Sequence, residues 1–107
     1  MTPEQFVDCF AKERTDLLSS YLTPDSGSPV ATDIAALRLS DEQAGVMRRI
    51  VDGILTDSLY TVLLGLDGAA SIGGRQEMFD LRAEDGTRLS GSGILEALAY
   101  ERLQHVA

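Results

Sequence analysis

"LYTVLLGLDGAASIGGRQ", residues 59–76, decides the fold, because its first half reads two ways. Tyr60, Thr61 and Val62 favour a strand. The segment does not alternate polar with apolar, however, and it prolongs an apolar stripe spaced every three or four residues from Met47 onward. That period predicts helix for residues 59–66. The glycines that follow then act as punctuation. Gly65 or Gly68 supplies the left-handed cap that ends a helix, and Gly73 and Gly74 bend the chain into a strand.

A phosphate-binding reading of the same glycines fails on chemistry. Such a loop precedes a helix and usually carries a lysine. Here the glycines follow a helix, Asp67 repels phosphate, and Arg75 is the only nearby cation.

Working upstream, the helix entering this segment begins at a capping box, Ser40 with Gln43, and Asp41 and Glu42 favour the positive end of its dipole. Its stripe is Met47, Ile50, Val51, Ile54, Leu55, Leu59, Val62 and Leu66. Gly53, Thr56, Tyr60 and Leu64 lie opposite and predict a second contact face. A helix apolar nearly all round is usually buried. This one reads as a spine that meets the core on one side and other elements, or a second copy, on the other. A first helix starts at Thr2, Pro3 and Gln5 and ends before Pro24. Residues 23–31 form a polar loop, and "TDIAALRL" after them fits either a helical turn or an extended run.

Downstream, Glu77, Phe79 and Leu81 alternate with Met78, Asp80 and Arg82, and "EDG" supplies a turn. This predicts a β-hairpin. A third helix is expected from an N-cap at Ser92, with Ile94, Leu95, Leu98, Ala99, Leu103 and Val106 as its stripe. The expected fold is a single α+β domain over 1–107: helix, loop, long central helix, hairpin, helix.

Composition narrows the function. The chain has 107 residues, 44% hydrophobic and 24% charged, which is ordinary for one globular domain. Seventeen acidic residues against nine basic ones give a net charge of -8. That charge disfavours nucleic acid and anionic membrane and leaves a basic protein or a cation as partners. Cys9 is the only cysteine and reads as a small structural hydrophobe. His105 is the only histidine, so a Cys9–His105 catalytic pair requires the termini to meet. Zinc fails for want of ligands, and neither Gly68 nor Gly86 aligns with a calcium loop. No metal and no cofactor is expected. The first residues are acidic where a signal peptide is basic, and no apolar run reaches membrane-spanning length, so a cytoplasmic location is expected.

Among the acids, Asp52 has Arg48 and Arg49 one turn away, whereas Asp57 has no basic neighbour at that spacing. Asp57, Tyr60 and Asp67 are the best small constellation for acid–base work or cation binding.

"LSDEQ", "LTDSLYTVLLGLDGAASIGG" and a Q-x-x-F-x-L pattern resemble small bacterial proteins carrying an "LLxLDGxASIGG"-like segment, over the middle of the chain. No activity attaches to that group. The resemblance implies a hallmark glycine segment and carries over no catalytic residue.

Two functions are therefore expected. The first is a non-catalytic interaction module, immunity- or adaptor-like, that binds a basic partner. The alternative is a small ligand-binding protein or enzyme using Asp57, Tyr60 and Asp67. A homodimer through the second face of the central helix fits both.

Overall fold

The ambiguous segment is helical to Leu66. The computed structural model describes residues 1–104 and contains α1 (Pro3–Leu22), α2 (Pro29–Ala36), α3 (Asp41–Leu66) and α4 (Ile94–Ala99). The last runs straight into a π-helical segment, Tyr100–Gln104. Both expected capping boxes are present, Thr2 with Gln5 on α1 and Ser40 with Gln43 on α3. "TDIAALRL" is helical only as far as Ala36, and α2 also takes residues 29–31 from the expected loop, because Ser28 caps it and Pro29 occupies its first turn.

α3 ends as a Schellman motif. The Ala69 N–H donates to the Leu64 carbonyl at 2.9 Å and the Gly68 N–H to the Gly65 carbonyl at 3.1 Å. Gly68 takes the left-handed conformation this requires, with φ +76°. Gly73 and Gly74, both at positive φ, then make a tight turn in which Ile72 and Arg75 exchange backbone hydrogen bonds of 2.8 and 3.1 Å. The turn folds the Ile72 side chain over Gly65. A β-carbon at Gly65 would stand 2.5 Å from Ile72 Cδ1, so only glycine admits this approach.

The expected α+β architecture and its hairpin are corrected here. Among the described residues there are helices, turns and two isolated bridges, Ile72 with Arg75 and Arg82 with Arg88, but no strand. The turn itself forms where expected. The Asp85 carboxylate accepts from Thr87 N–H at 2.9 Å, and the Leu89 N–H reaches the Leu81 carbonyl at 2.8 Å. Beyond that rung a side chain displaces the ladder. Buried Ser90 Oγ accepts from Leu81 N–H at 2.9 Å and donates to the Phe79 carbonyl at 2.6 Å. Residues 71–80 are all exposed, so no packed face rewards further pairing. A lone two-stranded ribbon is marginal without one.

The last helix begins at Ile94, with Gly93 and not Ser92 in the N-cap position. Val106 and His105 lie outside the described residues. Cys9, expected inside, is exposed on α1.

The core sits at one end. Val7 of α1, Leu63 of α3, and Leu95, Leu98, Ala99 and Leu103 of the C-terminal helix are buried together, with Phe6, Phe10, Leu59 and Tyr60 packed around them. At the other end Leu18, Ala31 and Val51 are buried where α1, α2 and the first half of α3 lie. α3 alone is about 39 Å long at 1.5 Å per residue. The molecule accordingly extends 46 × 29 × 27 Å, with a radius of gyration of 16.1 Å. A spherical domain of this length has about 13 Å.

Candidate interaction surface

α3 sorts the expected site residues. Of the face formed by Gly53, Thr56, Tyr60 and Leu64, only Gly53 is exposed. Tyr60 and Leu64 pack against the core, and Thr56 Oγ1 accepts from Arg14 at 3.4 Å. Arg14 also donates to the Leu103 carbonyl at 3.3 Å, tying α1 to α3 and to the C-terminal segment. The stripe expected to face the core is split instead. Val51 is buried, while Ile50 and Ile54 are 50% and 59% exposed. Eight stripe residues cover more of the helix circumference than one neighbour can bury.

Asp57, Tyr60 and Asp67 are not brought together. Asp57 is exposed and accepts a 3.4 Å hydrogen bond from Gln104. Asp67 stands ten residues on, about 15 Å further along the helix axis. It is 4% exposed and fully engaged elsewhere. Its Oδ1 accepts from the Gly91 N–H at 2.8 Å and its Oδ2 from the Glu96 N–H at 3.1 Å. α4 has no side-chain cap of its own, since Gly93 holds the cap position. Asp67 supplies that cap from the end of α3 and places a negative charge at the positive end of the α4 dipole. The "LDGAASIGG" segment thus joins two helices: glycine terminates one, and the aspartate beside it starts another.

Most of the charge lies elsewhere. Of the seventeen acidic residues, every one but Asp67 is exposed. Several are compensated. Asp16 pairs with Lys12 at 2.6 Å, Asp8 with Arg102 at 2.7 Å, and Asp80 with Arg82 at 3.1 Å. Proximity to these carboxylates raises the pKa of Lys12, chiefly through Asp16, and of Arg102, chiefly through Asp8. Around α2 the balance is more acidic. Asp25, Asp33, Asp41 and Glu42 are exposed there, against Arg38. The same end carries a groove of about 350 Å³ whose lining includes Leu22, Ile34, Leu39, Met47 and Arg48, the last being its one charged lining side chain. Asp33 adjoins Ile34 in the chain, and Asp41 and Glu42 stand between Leu39 and Ala44. The groove itself is mainly apolar, and the exposed acids are neighbours of its lining residues in the chain.

A second groove, of about 540 Å³, lies between the start of α1 and the Asp85 turn, with Met1, Phe6, Leu81 and Leu89 in its lining. Among the described residues no three histidine, cysteine or acidic side chains are grouped to hold a metal ion, and no helix is long and apolar enough to cross a membrane. No family model, curated protein or solved structure matches the chain.

Proposed function

We propose that this chain is a non-catalytic protein-interaction module, immunity- or adaptor-like, that binds a basic partner in the bacterial cytosol. The observation that carries the reading is the surfacing of all acidic residues but one, with a net charge of -8. A folded chain bearing that charge attracts cationic surfaces and repels polyanions. The groove beside α2 supports a docking point, since it offers apolar contact and the exposed Asp33, Asp41 and Glu42 are chain neighbours of its lining residues. The single cysteine, exposed as a free thiol, fits a reducing compartment.

The test is affinity capture from a bacterial lysate with the purified chain, at about 0.05 M and about 1 M salt, where screening lengths differ several-fold. The reading expects a stoichiometric basic protein at low salt that is released at high salt. A capture that yields no basic protein, or one indifferent to salt, overturns it.

A further inference from the structure

The exposed side of α3 carries a self-complementary pattern. At 100° per residue, Val46, Ile50, Gly53, Ile54, Asp57 and Thr61 fall within about 100° of arc, a stripe wide enough for one neighbouring helix. All six are exposed, and Ile54, at 59%, is as open to solvent as a large aliphatic side chain is anywhere on α3. Beside it Gly53 leaves a notch, since a β-carbon built there meets nothing within 4 Å. A glycine on the exposed face of a helix weakens it, and among the described residues no neighbour from the same chain approaches Gly53.

We infer that two copies of the chain associate through this face, with their α3 helices antiparallel and crossing at Gly53 and Ile54. In that register paired residue numbers sum to 107. Ile54 of each copy packs against Ile54 of the other on one flank of the contact, Gly53 faces Gly53 on the other flank and lets the two backbones approach, Ile50 lies level with Asp57, and Val46 lies level with Thr61. Arg49 flanks Ile50 and comes beside Asp57 of the other copy. This ion pair arises twice, once on each side of the two-fold axis, as an isologous contact requires. A parallel pairing would set Arg49 against Arg49 and Asp57 against Asp57, so charge selects the antiparallel one. Exposed aliphatic side chains, a glycine gap and an acid share one face of one helix with a base at its edge, and the charge complementarity of that face with itself makes a second copy the natural occupant. The contact from residue 46 to residue 61 runs about 22 Å. A single helix pair of that length lies at or below about 1,200 Å², the low end of specific interfaces, where weak and transient complexes fall. The inference is independent of the basic partner, which approaches the α2 end.

Sedimentation equilibrium of the pure chain, from about 1 to about 300 µM, reads it directly. A monomer–dimer equilibrium is expected within that range. Ile54→Asp, at an exposed position, should leave the chain folded and monomeric. Gly53→Ala should weaken the dimer at least about tenfold while raising the melting temperature of the dilute monomer by about 4–8 °C, because alanine favours helix and fills the notch. Arg49→Asp or Asp57→Arg alone should weaken the dimer, and the double exchange should restore it. A chain monomeric at every concentration overturns the inference. So does a dimer unmoved by Ile54→Asp and Gly53→Ala, or a different protein bound at this face while the pure chain stays monomeric.

Discussion

Asp67 shows how one side chain changes meaning once its surroundings are known. From the sequence it is an acid beside flexible glycines. In the fold its two oxygens take backbone donors 24 and 29 residues further on, and no local pattern announces those partners. Removing the carboxylate leaves two buried N–H groups without acceptors. Each such loss typically costs about 1–3 kcal/mol. Asp67→Ala should therefore lower unfolding free energy by about 2–4 kcal/mol in urea titration, given partial access of water to the freed groups. Asp67→Asn, which keeps one acceptor oxygen, should lose less. Equal, negligible effects of both would remove the capping role. Gly65 makes the same point from the opposite side. Its place among the glycines was legible, but the Ile72 side chain above it was not. Gly65→Ala should destabilise by about 1–3 kcal/mol through overpacking, despite the helix propensity alanine adds. A stabilised variant would mean that Ile72 moves aside freely.

At the scale of elements, what the sequence made legible was what local chemistry controls. Both capping boxes, the proline before the first loop, and the glycine that ends α3 act within four residues of themselves. The hairpin reading failed because a strand needs a second layer. "EDG" formed its turn, but the alternation of Glu77, Phe79 and Leu81 found no surface to face, and Ser90 captured the backbone groups a ladder would use. The α3 stripe was read with the right period and the wrong breadth, since periodicity counts apolar residues and not the neighbours available to cover them. The Asp85 turn also offers a pH signature. Hydrogen bonds from Thr87, side chain then backbone, hold the Asp85 carboxyl well below the usual carboxylate range, with the N-terminal ammonium 3.1 Å away adding to them. A folded-state pKa below the unfolded value means the contribution is complete above about pH 4 and is lost as pH falls further. The melting-temperature gap between the chain and Asp85→Asn should be constant from about pH 7 to about pH 5 and narrow below about pH 4. A gap that ignores acid would contradict the assignment.

For the whole molecule, shape and charge carry the account. The core gathers at one end, and α3 extends past it to a thinner end where few side chains are buried. Composition revealed the acidity, and the expectation that polyanions are disfavoured rests on charge alone. The exposure of the acids became legible only with the fold, which leaves Asp25, Asp33, Asp41 and Glu42 on the surface before, along and after α2, a helix that packs on α1. The most direct measurement is therefore a paired capture. The chain and its Asp33→Asn, Asp41→Asn, Glu42→Gln variant would be immobilised side by side and exposed to the same bacterial lysate at low salt. The account predicts that the unmodified chain retains a basic protein in stoichiometric amount and that the variant, still folded by circular dichroism, retains little of it. No basic protein on either, or equal retention on both, would contradict the claim that this acidic end is where the molecule meets its partner.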